Sequence, residues 1–310
     1  MHPGAGGGDL AVDPVVSVVL CVRNGARTLG RQLGALARQD VEAPWEVVVV
    51  DNGSTDGTRT VVASWTTRMP WLRVVDEPVA GLNRARNRAV AEVRADRVLC
   101  CDADDEVDHA WVRAMLGGLQ QFDVVGGALV PRPDRPERAR ALHVPQTDAL
   151  PSLLDHTFAV GASFGFHRRV YDALGGFDES FDTGADEVDF CMRAAHAGFT
   201  IGFVPTAVAR YTLQDSPSAL MRQRFNYGRG LQRLIAKAAR CGWIHRTRGQ
   251  RWRDLARASA PLLWTWPEAL HPDERLPYLA RLAHVAGEAT ELVVVVRRRV
   301  GAPADQTTAP

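Results

Sequence analysis

Residues 101 to 106 read Cys-Asp-Ala-Asp-Asp-Glu, which places four acidic side chains directly after the apolar run that ends at Leu99 and Cys100. Two more acidic segments stand where apolar runs stop: Asp51 in VVVVDNGS, and Asp186, Glu187 and Asp189 in GADEVDF. Carboxylates gathered in one cleft repel and raise one another's affinity for protons. A divalent cation relieves that repulsion. Oxygen-only ligands favour Mg²⁺ or Mn²⁺, which keep several waters and bridge to substrate phosphates. Asp102 and Asp104 alternate along an extended segment, so both can reach one ion or its shell. A plainer use competes with this one, because acids also end strands and cap helices, and Asp108 precedes the helical pattern HAWVRAML. Spacing alone does not choose between them.

The elements that would position these acids can be read from periodicity. VVSVVLCV (15–22), bounded by Pro14 and Asn24-Gly25, reads as a buried strand. Leu29, Leu33 and Leu36 mark one helical face. EVVVVD (46–51) is a second strand, followed by the turn DNGSTDGT and a helix from about residue 56; LRVVD (72–76), a helix near 83–94 and RVLCC continue the alternation. Strands alternating with helices predict a mainly parallel sheet flanked by helices, with ligands at the carboxyl ends of the strands. Proline and arginine break the pattern over 131–151, which reads as a surface loop. Strand signals return in FAVGASFGF (158–166), TIGFV and AVARY, with a helix over 187–196; helical periodicity dominates from Ser216. The expected organisation is a loose tail (1–13), an α/β domain (14–214), a helical extension (215–301) and a disordered tail (302–310).

The chain has 310 residues, is 46% hydrophobic and carries a formal net charge of +1, so no global field attracts nucleic acid, and none is expected as a partner. Its five cysteines have no paired-ligand spacing and read as reduced thiols of a cytoplasmic protein. MHPGAGGGDLAVDP has no basic and apolar leader pattern, and no apolar run approaches the length of a membrane span. ELVVVVRRRV (291–300) is expected to pack against the extension in preference to touching a membrane. WIHRTRGQRWRDLAR interleaves arginines with Trp243 and Trp252; a solvated helix face is the first reading, with lipid head groups, a phosphorylated acceptor or a protein as alternatives. Peripheral contact with the inner membrane face therefore stays open.

In order and spacing, VSVVLCVRNGARTLGRQLGAL, EVVVVDNGSTDGT, GLNRARNRAV, LCCDADDEV and GADEVDFCMRAAHAGF resemble the inverting glycosyltransferases of family 2, over roughly residues 15–210. The resemblance implies the GT-A nucleotide-diphospho-sugar transferase fold, with a helical C-terminal extension. It also implies a metal-dependent hexosyltransferase using Mn²⁺ or Mg²⁺, which moves a sugar from a nucleotide-diphosphate donor, a UDP-sugar favoured, to an acceptor hydroxyl. Val22, Arg23 and Asn24 at the first strand end, with Asp51 and Asn52, would then hold base and ribose. A carboxylate accepts the N3 proton of uracil, and adenine offers no such donor at that edge; an Asx-turn is the structural alternative for Asp51. Arg86 would approach the diphosphate, with Arg84 and Arg88 as alternatives. Asp102, Ala103 and Asp104 would form the metal and diphosphate site, with Asp105 and Glu106 facing the acceptor side or solvent.

Glu187 falls at the family's general base and Asp186 at its supporting acid, but the two are transposed relative to the common Glu-Asp order, so Asp186 could take the base role. Asp189 and Tyr227 are acceptor-side candidates, Tyr227 with helix surface as its plainer reading. RQRFNYGRG stands where processive relatives carry QxxRW, so polymer synthesis with secretion is not expected. Two other functions compete: a GT-A-like binding protein that has lost activity, and a sugar-phosphate nucleotidylyltransferase. The latter is disfavoured by a single lysine, Lys237, in the whole chain.

Overall fold

A computed structural model of the chain describes residues 13–132, 148–181, 184–212, 216–245 and 247–300. The tails expected at 1–13 and 302–310 and most of the loop expected at 131–151 lie outside the described residues. The chain divides into two compact units, Met1–Asp182 with Asp186–Leu213, and Thr183–Ala185 with Gln214–Pro310.

The first unit is built on an eight-stranded sheet ordered β3-β2-β1-β4-β9-β6-β10-β5. Strands β1 (Val16–Val22) and β2 (Trp45–Asp51) run parallel in register, Val22 beside Asp51, and β3 (Leu72–Asp76) and β4 (Arg97–Cys100) extend the parallel set on either side. All seven residues of β2 are buried, in keeping with the apolar run Val47–Val50 at its centre. Short β5 (Glu106–Val107) and β9 (Phe164–His167) pair antiparallel with their neighbours, while β6 (Val124–Pro131) runs parallel to β10 (Ile201–Tyr211). The hairpin of β7 (Ser152–Leu153) and β8 (His156–Thr157) forms a separate small sheet.

Residues alternate between the two faces of the sheet. Val16, Val18, Leu20 and Val22 join one core cluster with residues of α1 (Leu29–Leu36), α2 (Thr58–Thr66) and α4 (Trp111–Gly118). Val19, Val48 and Val50 face the other, with α3 (Leu82–Glu92), α5 (Arg168–Leu174) and α6 (Asp186–His196). Two expectations about strands change. The run 158–166 is not one strand, because a 3-10 turn at Gly161–Ser163 interrupts it, closed by the Ser163 amide donating to the Val160 carbonyl at 3.0 Å. TIGFV and AVARY form the single strand β10, with a register shift between Val204 and Val208, around Pro205.

Within the second unit, α7 (Pro217–Arg240) starts at Ser216, whose hydroxyl accepts the Ala219 amide, and α8 (Arg248–Trp264) starts in a Thr247–Gln250 capping box. A short 3-10 helix (Trp266–Leu270) leads into α9 (Pro272–Val300). Helices α7 and α9 meet at backbone distance: a Cβ at Gly287 would fall on the Phe225 carbonyl oxygen. Polar groups fill the interface. Arg229 and Arg233 donate to Glu291 at 3.1 and 2.9 Å, Gln232 to Glu288 at 2.8 Å and Arg251 to Gln232 at 3.0 Å. Arg251, read from sequence as part of a solvated face, is 7% exposed. Of the segment expected to pack inward, Glu291 and Leu292 are buried and Val293 is 40% exposed; the side chains of 295–300 lie outside the described ones.

One buried charge holds the start of β2. Glu46 is fully enclosed and accepts from the Ser17 hydroxyl and the Arg94 amide at 2.7 Å each, and from the Arg73 guanidinium at 3.0 and 3.1 Å. Burial pushes its pKa up, but these donors outweigh it and hold the carboxyl below its ordinary value. The stability this contributes is present above the unfolded pKa, near 4.3, and is lost as pH falls below it. Glu46→Ala is expected to cost roughly 2–4 kcal/mol at pH 7, because Arg73 and Arg94 lose their counter-ion but stay partly hydrated. Urea melts of both proteins from pH 7 to pH 3 should converge at the acid end; a constant difference would refute the charge assignment.

Candidate functional site

The strand order turns between β1 and β4: from β1 the chain adds β2 and β3 on one side and then crosses to β4 on the other. Such a switch point opens a crevice at the carboxyl ends of the strands. Val22, Asp51 and the segment after Cys100 all lie at that end.

The loops after β1 and β2 are latched to each other. Asn24, at φ 55°, accepts the Thr55 amide at 2.8 Å, and its own amide donates to the Ser54 hydroxyl at 2.9 Å. Asp51 is 1% exposed; one carboxylate oxygen accepts the Ser54 amide at 3.0 Å, the Asx-turn arrangement, and the other pairs with Arg59 at 2.8 Å. Asn52 donates to the Glu77 and Val79 carbonyls at 3.0 and 2.7 Å and accepts the Gly81 amide at 2.8 Å. Its side chain thus organises the loop that leads into α3. Val22 is buried, and its carbonyl accepts the Asn52 amide, whereas Arg23 and Asn24 are exposed.

After β4 the chain enters the acidic loop, held from α1. Gln32 donates to the Asp102 carbonyl at 3.1 Å and accepts the Val107 amide at 3.0 Å; Arg31 donates to the Asp104 carbonyl at 3.0 Å. Asp102, Asp104 and Asp105 each bring a carboxylate oxygen within 4.8 Å of the others. Asp105 differs from its sequence expectation of facing acceptor or solvent. It is 1% exposed because the Thr212 amide, past the end of β10, draws its Oδ1 inward at 2.6 Å. Its Oδ2 is buried without a hydrogen-bond partner. Three converging carboxylates with an orphaned oxygen are a donor set that fits a hard divalent cation. Burial and Asp104 push Asp102 up to about 6, burial raises Asp104, and burial with Asp102 and Asp104 raises Asp105 further. Ala103 packs against the core beneath this loop.

The third acidic group begins α6. Asp186 is 5% exposed and forms an ion pair with Arg86 of α3, itself 4% exposed. The Arg86 guanidinium stands 5.5 Å from the centre of the Phe177 ring. Gly161 makes room for it, since a Cβ there would collide with Arg86 Nη2. The Gly161 amide points at Glu187 Oε1 from 3.5 Å. Burial opposes the charge on Arg86, but Asp186, Glu187, Cys100 and Asp102 together raise its pKa. Glu187 is half-buried, and burial and then Asp186 push it up to about 8, against the pull of Arg86.

Arg86, Asp102, Asp186 and Glu187 therefore form one electrostatic group. Arg84 pairs instead with Glu179 at 2.8 Å, and Arg88 with Glu92 at 2.8 Å. Asp189 is fully buried and paired with Arg193 at 2.8 Å, so in this state it is closed to an acceptor. Tyr227 is 39% exposed on α7, in the second unit, beside the Arg224 guanidinium. Sequence reading passes over Arg59, Gln32 and Gly161. For Gln32 a signal existed: it lies three residues after Leu29, on the buried face of α1.

A parallel-strand crevice lined by acids, within a curled mixed sheet flanked by helices, is the architecture of GT-A glycosyltransferases. The chain belongs to glycosyl transferase family 2, whose sequence pattern (Glycosyl transferase family 2) matches residues 17–175; that of Glycosyl transferase family group 2 matches 97–280. It is similar to Glycosyltransferase AglE of Haloferax volcanii, 24% identical over 230 residues, 70% of this chain and 73% of that protein. It is also similar to Succinoglycan biosynthesis protein ExoA of Rhizobium meliloti, 31% identical over 209 residues, and there the match spans 62% of this chain and 61% of the relative, less than two thirds of its length. Among solved structures, the mannosyltransferase PcManGT from Pyrobaculum calidifontis, in complex with GDP-Man and Mn²⁺, superimposes with a TM-score of 0.62 at 23% identity, over 91% of this chain and 88% of that one. Among the described residues no helix is long and apolar enough to cross a membrane.

If Arg86 is the cation that restrains these acids, Arg86→Met should raise the midpoints of Glu187 and Asp102 by about one pH unit or more. Carboxyl-carbon NMR titration reads both directly; unmoved midpoints would remove Arg86 from that role.

Proposed function

We propose that this glycosyltransferase takes a nucleotide-diphosphate sugar, a UDP-sugar favoured, and transfers the sugar with inversion to an acceptor hydroxyl in a reaction dependent on Mn²⁺ or Mg²⁺. The observation that carries the reading is Arg86, paired with Asp186 and under the electrostatic influence of both Glu187 and Asp102. Asp102, Asp104 and Asp105 would hold the cation, which when bound neutralises charge on the diphosphate. Arg86 supplies fixed positive charge on the same side, although its pairing with Asp186 makes it a partner shared with protein as well as ligand.

The choice between the two transposed acids follows from their surroundings. Asp186 is enclosed and committed to Arg86, which suits a positioning residue. Glu187 is half-buried, carries one more methylene and has a pKa raised to about 8, which suits a base that must take a proton near neutral pH. In the proposed step the acceptor oxygen bonds to the anomeric carbon as the bond to the diphosphate oxygen breaks on the opposite face. The hydroxyl proton passes to Glu187, and the electron pair leaves with the nucleoside diphosphate.

Asp51 supports a base with an acidic ring N–H, which uracil has at N3 and guanine at N1, and adenine lacks. It would read such a base once Arg59, whose side chain is 62% exposed, swings aside. Solved structures similar to this chain hold GDP-Man in one case and UDP-GlcNAc in another, TarS from S. aureus, so the neighbours are consistent with either base.

Thermal unfolding against UDP, TDP, GDP and ADP, each with Mn²⁺ and with chelator, tests donor class and metal together. A nucleotide at 100 times its dissociation constant should stabilise the fold by about 2.7 kcal/mol. A Mn²⁺-dependent shift is expected with UDP and not with ADP; no shift with any nucleotide would favour a GT-A-like protein without activity. Asp104→Ala should abolish the Mn²⁺-dependent part of that shift. Glu187→Gln should keep the shift while transfer falls about 10²- to 10⁴-fold. If Asp186→Asn alone does this and Glu187→Gln does not, the base assignment is reversed.

A further inference from the structure

Three of the most exposed large apolar side chains among the described residues lie within eight positions of the second unit: Leu263 at 74%, Trp264 at 84% and Leu270 at 73%. Trp266 between them is 56% exposed. They mark the corner where α8 ends and the 3-10 helix leads to α9. The corner is fixed from beneath. Leu262 is 7% exposed, the Tyr278 hydroxyl of α9 donates to its carbonyl at 3.2 Å, and the Thr265 amide closes the helix end on the Pro261 carbonyl at 2.9 Å. One residue therefore anchors the helix while the next two project outward.

The exposed face of α8 continues the patch. At 3.6 residues per turn, Trp252, Ala256, Ala260 and Leu263 fall on one strip of the helix, on a different side from buried Arg251, Leu255 and Leu262. Trp264 lies beside that strip, and so do Arg253 and Arg257, both exposed. Arg257 reaches Asp254 at 3.8 Å, an exposed pair of little strength, and Arg275 is exposed on the first turn of α9. The exposed strip of α8 is thus apolar with arginine along one side, while Asp254 on α8 and Glu268, Asp273 and Glu274 around the corner are the acids nearest in sequence. Large exposed apolar patches on a folded chain mark contact surfaces. Indole rings at the boundary between apolar and charged groups, with arginine beside them, are the chemistry of an interfacial helix that lies in the head-group region of an anionic bilayer.

We propose that α8 and the corner Leu263–Leu270 dock this protein on an anionic lipid surface. The contact is peripheral: the side chains insert and no helix spans. It is independent of the donor site, since none of its residues belongs to the acidic crevice or the loops around it.

Flotation with vesicles tests this on the full chain. Wild type is expected to float with vesicles of equal parts phosphatidylcholine and phosphatidylglycerol, and much less with phosphatidylcholine alone. The double variant Trp264→Ser/Trp266→Ser should bind anionic vesicles at least about tenfold more weakly. Arg253→Gln and Arg257→Gln should each weaken it about fivefold at low salt. Brominated lipid should quench tryptophan emission of wild type much more than that of the double variant, which keeps Trp252, and unchanged melting curves confirm that the variants fold. Wild type that stays in solution with both vesicle types would overturn the proposal. So would a double variant that floats as well as wild type, or a patch that instead mediates a dimer abolished by the tryptophan changes.

Discussion

The ion pair between Arg86 and Asp186 joins helix α3 to helix α6 across the crevice, and much of the surrounding sequence can be understood as making room for it. Phe177 lies beside the guanidinium, and Gly161 lacks the side chain that would occupy its place. A buried cation survives only where anions are close, and Arg86 feels Asp186, Glu187 and Asp102 at once. Seen from the acids, the dependence is reciprocal. Asp102 and Glu187 are each raised by burial and by a neighbouring acid, and Arg86 opposes the rise in both.

Charge is concentrated at this place because of the topology. Parallel strands bring their carboxyl ends to one edge, and the reversal between β1 and β4 leaves that edge uncovered by a crossing connection. The loops that follow are short and held by polar side chains: Gln32 and Arg31 under the acidic loop, Asn52 under the entry to α3, and Asn24 on the turn after β2. Rigid strands and latched loops keep several carboxylates in register without requiring each to be packed by its own neighbours.

This division also explains what was legible beforehand. Strands β1 to β4 and helix α6 could be read because each owes its form to local periodicity, the central strands being enclosed on both faces. The apolar run 158–166 reads as a strand, yet a local turn closed between Val160 and Ser163 interrupts it, at the place where Gly161 leaves room for Arg86. Asp105 was misread because its inward turn is dictated by the Thr212 amide at the end of the last strand. The candidate acids could be named from their types and order, whereas their orientation depends on partners that no spacing reveals. Asn52 is the converse case, a residue read as a ligand contact whose amide is occupied by the backbone of the next loop.

Glu46 and the crevice acids show the same functional group used in opposite ways. Glu46 is enclosed by donors that lower its pKa, so its ionisation favours the folded state as pH rises past the unfolded value. Asp102, Asp104, Asp105 and Glu187 are raised, so ionising them works against the fold as pH rises through their midpoints. A fold that places four such groups together gives up stability at neutral pH that a cation or a proton can restore. That is the expected signature of a site arranged for ligands; at the α7–α9 interface the buried acids Glu288 and Glu291 instead have Gln232, Arg229 and Arg233 as donors. The buried acids of the second unit are satisfied by the chain itself, while those of the crevice are left to be satisfied by what binds there.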